Sequence, residues 1–378
     1  LMALVDRDPR LQASTLELQA ARNEVDAAHT APNPTLQANL GRGQSRADDN
    51  SRLEWSLALT MPLEWLAQRG ARIDVEQAKV EVATGEALAL RREVLQELRT
   101  LYWQLAFQQA HVESLQELER QTVTLVATVQ RRVQSGQVRP VEATRIEIEQ
   151  QRVSTELLVA ETALRAKSAA LAVWLTVPDT APLLVDADLQ TLPEPLPRDI
   201  ALAKARTDHP SLIAARAQRQ QLQSQLRAES ALRFPAVALS GFTTSELDRR
   251  AYGMGVTVAL PLFDWNSSRI EGARARLAAG QKRADAARLD LDRLVLQSQA
   301  DCEASIISAA RFRDAIMPRA AATASTVEST YRLGEATLLE LIDARRTLLD
   351  ARREYLQALA TAHLDCSRLR SLLGEESP

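Results

Sequence analysis

Few side chains in this 378-residue sequence are of a type and at a spacing that could carry chemistry. Cys302 and Cys366 lie in stretches that read as helix, with no metal or redox spacing, and are expected to be small apolar packing residues. His29, His111, His209 and His363 are far apart, and no HxxxH or HExxH pattern occurs. No nucleophile is paired with a base and no phosphate loop appears, so neither an enzyme nor a resident metal or cofactor is expected. One pair is suggestive. Glu340 and Asp343 stand at i and i+3, which places both carboxylates on one face of a helix. On spacing alone, that pair also fits an ordinary solvated helical face.

Charge excludes two partner classes. The 46 basic and 49 acidic residues are well mixed, with a net charge of −3, and give no electrostatic footprint for nucleic acid. Nor is there a polybasic patch for an anionic membrane surface. Aromatics are only 4% and glycines number 12, while Ala, Leu, Arg, Gln and Glu dominate, the mix of long helices. No run of 18 apolar residues exists, so no transmembrane helix is expected, although β-barrel strands give a much weaker signal. The chain begins at Leu1 in a helical pattern, so a signal peptide and an N-terminal segment are expected to be removed or not included.

The elements that position these residues come twice. Asp8-Pro9-Arg10-Leu11 returns as His209-Pro210-Ser211-Leu212, and Asn33-Pro34-Thr35-Leu36 as Phe234-Pro235-Ala236-Val237, both at an offset of 201. Pro62-Leu63-Glu64-Trp65 returns as Pro261-Leu262-Phe263-Asp264-Trp265 near 199, and Gly136 with Glu142 matches Gly334 with Glu340 at 198. Landmarks in constant order and spacing point to an ancient duplication. The expected organisation is a first repeat over 1–176, a Pro-rich linker over 177–197 and a second repeat over 198–378. Each repeat reads as a helix of about 30 residues, a β-hairpin (about 34–62 and 234–261), a very long helix, a turn near 136 or 334, and a helix of about 36 residues. Seventy helical residues would extend roughly 105 Å, more than a globular domain needs. Pro318 falls inside the second long helix and should kink it or open one backbone hydrogen bond.

The short segments alternate. Leu53, Trp55, Leu57, Leu59 and Met61 form one face against Glu54, Ser56, Ala58 and Thr60. Tyr252, Met254, Val256, Val258 and Leu260 alternate with Gly253, Gly255, Thr257 and Ala259, and Leu36, Ala38 and Leu40 with Gln37 and Asn39. Such strands also suit a half-buried sheet, but no neighbouring element offers to cover the apolar faces. If they enter lipid instead, Leu53, Trp55, Leu57, Leu59, Tyr252, Met254, Val256 and Val258 face it. Four strands cannot close a barrel, and open edges are not tolerated in lipid, so three copies supplying twelve strands are expected.

Taken over essentially all of its length, the chain resembles the TolC family of outer-membrane efflux and export ducts. The carriers are the duplication, the Pro-Leu-x-Trp strand exit at 62–65 with its one-residue-longer variant at 261–265, and the two turns. The second turn, Tyr331-Arg332-Leu333-Gly334 followed by Leu339-Glu340-Leu341-Ile342-Asp343-Ala344, looks very like the family's helical-hairpin tip. The resemblance implies a mainly α fold with a small membrane β part: a homotrimer whose 12-stranded β-barrel, four strands per protomer, continues into a long periplasmic α-helical barrel. It implies the outer membrane of a Gram-negative cell, with most of the chain in the periplasm. It also implies as partners a periplasmic adaptor (membrane fusion protein), an inner-membrane RND pump and outer-membrane lipid.

Carried over residue by residue, Val133, Ser135, Gly136, Leu333, Gly334 and Glu335 are expected at the adaptor-contact tips, where both glycines also serve as helix-ending residues. Glu340 and Asp343 match the acidic residues that ring the periplasmic gate; such rings favour cations. The first repeat has Glu142 but Arg145 at the matching second position. The turn Gly136-Gln137-Val138-Arg139-Pro140-Val141-Glu142-Ala143-Thr144 looks like the branch serving heavy-metal cation efflux pumps. Departures are the absent N-terminal segment, including any lipidated cysteine, and a short linker that should reduce the equatorial collar. Alternatives are a duct for type I protein secretion or, in a different class, a soluble coiled-coil scaffold, which the lack of a sustained strict heptad disfavours.

Overall fold

A computed structural model describes residues 5–6, 8–44, 51–64, 66–175, 182–247 and 249–374. Trp65 of the first strand-exit motif and residues 177–181 of the linker lie outside these. The first half runs α1 (Pro9–His29), β1 (Thr35–Gln44), β2 (Ser51–Leu63), α2 (Leu66–Gln134) and α3 (Pro140–Trp174). The second runs α4 (Arg198–Asp208), α5 (Pro210–Ala231), β3 (Val237–Glu246), β4 (Arg249–Val258), α6 (Ser267–Arg311), a π-helical segment (Phe312–Ile316), α7 (Met317–Leu333) and α8 (Leu338–Leu372). Among the described residues, no helix is long and apolar enough to cross a membrane.

Proline sets several boundaries. The expected single helix after residue 198 is two helices, because Pro210 lacks an N–H and forces the preceding His209 out of the helical region, to φ −69 and ψ 129. Pro140 occupies the first turn of α3, where its missing donor costs nothing. Pro318 leaves the Asp314 carbonyl without its usual donor. The chain widens just before it into the π turn, where the Met317 N–H reaches back to the Phe312 carbonyl. The first long helix, α2, runs through 69 residues with no such break.

The chain forms two compact units. One holds residues 13–89 and 210–289, with all four strands. They make one antiparallel sheet in the order β1-β2-β3-β4, so β1 and β4 are free edges. Here α2 and α5 approach so closely that a Cβ on Gly85 would lie 2.9 Å from the Cα of Ala214.

The other unit holds residues 1–12, 90–209 and 290–378. Its core is a series of apolar clusters along the helices, such as Val94, Leu98, Leu105 and Leu171, then Val112, Leu115 and Leu157. The linker residues 182–189 form neither helix nor strand. Gln109 holds them, accepting from the Val185 N–H at 2.9 Å and donating to the Val185 carbonyl at 3.2 Å. Trp103 and His363 stack beside this segment, 3.9 Å between ring centroids, and burial lowers the His363 pKa.

The expectation for the cysteines is corrected. Cys302 and Cys366 are buried, as packing residues should be, but their sulfurs are joined in a disulfide between α6 and α8 across 64 residues of sequence. Two helical residues so far apart in sequence carry no spacing signal; only the packing of α6 on α8, with Cα atoms 4.7 Å apart, brings them within bonding reach. The positions 198 residues earlier are Gln104 and Ser168, which no covalent bond can join: Gln104 Oε1 accepts from Lys167 Nζ at 2.7 Å, and Ser168 Oγ accepts from the Leu183 N–H.

Candidate functional site

The sheet sorts its side chains by register. Leu36 pairs with Leu59, Ala38 with Leu57 and Leu40 with Trp55; Leu239 pairs with Val256 and Val237 with Val258. With Leu53, Met254 and Tyr252 these share one face, so all eight strand residues expected to face lipid fall together. That face is bare: Tyr252 is 92% exposed, Met254 84% and Val256 66%. The opposite face carries Gln37, Asn39, Ser56, Thr60, Ser240, Thr244 and Thr257, with Phe242 laid over Gly253. A sheet with one exposed apolar face and two unpaired edges is unsatisfied in water by itself. Next to the strand bases, Phe234, Leu260, Leu262, Phe263 (98%) and Trp265 are also exposed. The alternation ends at Leu260, before Phe263 and Trp265, so it carried no signal for their exposure.

At the helical turns, Gly136 (φ 71) and Gly334 (φ 83) end α2 and α7 in the left-handed region. Neither has anything within 4 Å of where a Cβ would be, so the backbone conformation alone demands glycine. The two turns are brought together by a shared core of Val129, Ile146, Tyr331, Leu338 and Leu341, against which Val133 also packs. Arg132 lies over the Tyr331 ring at 5.4 Å and reaches the Arg332 carbonyl at 3.4 Å. Between the turns opens a cleft of about 490 Å³, lined by Arg139, Glu142, Tyr331, Arg332 and Thr337 among others. Of the six expected tip residues, Ser135, Gly136, Leu333, Gly334 and Glu335 are exposed, while Val133 is half-buried.

Glu340 and Asp343 are both exposed at the start of α8. Glu340 has a local duty that the spacing did not reveal. Its carboxylate accepts from the Thr337 N–H at 2.7 Å and hydroxyl at 3.0 Å, while its own N–H donates to the Thr337 hydroxyl. This capping box, with the backbone bond foremost, holds the Glu340 carboxyl below its ordinary range and therefore charged. The signal was present as Thr337-x-x-Glu340. In the first repeat, Glu142 instead faces Arg139 at 3.7 Å, and Arg145 is exposed. Among the described residues, no group of three or more His, Cys, Asp or Glu could hold a metal.

A family model described as outer membrane efflux protein matches residues 2–175 and 201–375. The cobalt-zinc-cadmium resistance protein CzcC of Cupriavidus metallidurans is 25% identical over 370 residues, 96% of this chain and 86% of that protein. The nickel and cobalt resistance protein CnrC of the same organism is 29% identical over 295 residues, 75% of this chain and 67% of that protein. Among solved structures, the outer-membrane channel OprN superposes with a TM-score of 0.83 at 19% identity, covering 99% of this chain and 89% of that one.

Proposed function

Because the chain belongs to the outer membrane efflux protein family, and is an efflux exit duct of the outer membrane, we propose that its cargo is heavy-metal cations. Full-length similarity to CzcC carries that reading, and the likeness to CnrC supports it. Family membership leaves the scaffold alternative without support. Three copies close the sheet: β4 of each protomer pairs with β1 of the next, giving twelve strands with no free edge and the apolar face outward. The exposed Phe263 and Trp265 near the strand bases suit an aromatic girdle at the membrane interface.

Energy comes from an inner-membrane pump, reached through a periplasmic adaptor. The two helical turns are the adaptor's landing point, with Ser135, Gly136, Leu333, Gly334 and Glu335 in contact and Val133 supporting them from the tip core. Glu340 and Asp343 line the entrance. Threefold symmetry places up to six carboxylates there, an arrangement that draws cations and repels anions.

Two measurements test this. Light scattering on the detergent-extracted protein should give three chains per particle; a monomer soluble without detergent refutes the duct. A strain lacking its metal-efflux duct should regain cobalt, zinc or cadmium tolerance when supplied with this chain and its own pump and adaptor. Restored drug tolerance without metal tolerance would move the cargo to another class.

A further inference from the structure

The lipid-facing reading of the sheet, on which this inference rests, leaves its charged residues to be explained. Near the two hairpin turns the strands carry six: Arg42, Arg52, Glu54, Glu246, Arg249 and Arg250. The register divides them by face. Arg52 pairs with Gly43, Glu54 with Gly41 and Arg249 with Glu246, all on the polar face. There the charges are balanced and engaged. Arg249 lies 3.8 Å from Glu246, Arg52 donates to the Leu247 carbonyl, and Glu54 accepts from the Leu247 N–H at 3.5 Å. Arg42 pairs with Leu53 and Arg250 with Ser245, which puts both on the apolar face. Both are exposed, and no described strand carboxylate shares that face with them.

Along that face the order is apolar (Leu36, Leu59, Val256), then aromatic (Trp55, Tyr252), then Arg42 and Arg250. The arginines stand at the ends remote from α1, α2, α5 and α6, hence at the outward leaflet. A guanidinium is costly on a lipid face except where it meets headgroups, and its planar donors match a phosphate. Within one protomer the two arginines sit on the edge strands, about 14 Å apart across three strand gaps and two residues out of level along the strands. Barrel closure sets β4 of one copy beside β1 of its neighbour, bringing Arg250 of one and Arg42 of the other to the same seam.

We propose that Arg42 and Arg250 form a binding site, completed only between adjacent copies, for the phosphate-bearing headgroup of an outward-leaflet lipid. The test uses detergent-purified trimer and native mass spectrometry, with bis-phosphorylated lipid A as probe and its fully dephosphorylated form as comparison. The wild type should retain the phosphorylated lipid preferentially. R42Q/R250Q should lose about thirtyfold in affinity, roughly fivefold per arginine. R52Q/R249Q, on the other face, should leave retention unchanged, and R42K/R250K, which keeps the charge but loses the planar fork, should fall between the wild type and R42Q/R250Q.

Equal retention of the dephosphorylated lipid, or wild-type retention by R42Q/R250Q, overturns the site. Displacement of lipid A by equimolar inorganic phosphate would make it a free-anion site and refute the lipid assignment. If R42Q/R250Q does not assemble, the single variants R42Q and R250Q decide by the same readout. Failure of the underlying membrane reading would appear separately, as wild-type protein that stays dispersed without detergent.

Discussion

Replacing Cys302 and Cys366 together with serine removes the covalent tie between α6 and α8 while keeping side-chain volume nearly constant. The tie closes a loop of 64 residues that contains the π turn, α7, the second helical turn and most of α8. In the chain-entropy description of crosslinks, a loop of that size restricts the unfolded chain by about 4 kcal/mol. Both sulfurs are buried, so the two hydroxyls add a desolvation cost of about 1–3 kcal/mol each where they find no partner. The first hairpin has Gln104 and Ser168 at the corresponding positions, with no crosslink between them, so it serves as an internal reference.

Amide hydrogen exchange on the detergent-solubilised protein reads both hairpins at once. Amides of α7 and α8 that exchange through opening of this loop should speed up by about a thousandfold, the factor that 4 kcal/mol represents. Amides of α3 should change far less. Equal acceleration in both hairpins would mean that the bond acts on the whole unit. No acceleration in either would refute the loop-closure reasoning. Reductant on the wild type should reproduce the effect only under conditions that open the helices, because the sulfurs are inaccessible in the folded state.

Glu340→Gln should keep the capping geometry while removing charge, whereas Glu340→Ala should fray the start of α8; circular-dichroism melts of the two variants distinguish these roles. In planar bilayers, Glu340→Gln with Asp343→Asn should reduce cation preference without loss of trimer, and unchanged selectivity would sink the entrance assignment. The Glu340 carboxyl sits below its ordinary value of 4.5 in the folded chain, so its contribution is complete above that value and is lost as pH falls through the depressed one. The protection factor of the Leu341 amide, its exchange rate corrected for the intrinsic pH dependence, should therefore fall in acid for the wild type and stay flat for Glu340→Gln. Gly334→Ala should destabilise by about 1–2 kcal/mol through its positive φ alone, with Gly334→Asn milder, as measured by denaturant midpoints.

Much of the fold is legible because two periodicities carry it. The alternation from Leu53 to Met61 and from Tyr252 to Leu260 fixed the strands and their faces, and Gly136 and Gly334 marked the turns. Proline at 210 was visible yet read through, since the apolar spacing continues on both sides of it. The disulfide was not legible because helix packing, rather than sequence spacing, sets which residues of α6 and α8 meet. Glu340 was legible as an acidic residue on a shared face. Its bond to Thr337 follows from a capping pattern that lies in the sequence but competes with the charge-based reading of the same residue.

The sheet's order has a genetic corollary. Each protomer presents one free edge on β1 and another on β4, and both must find partners for the ring to close. A variant crippled at only one edge still docks through the other, so it enters assemblies and spoils them rather than dropping out. In a cell making equal amounts of sound and crippled chains, about one trimer in eight contains sound chains alone. Edge-strand alleles should thus be dominant-negative, while alleles that unfold the whole chain should be recessive.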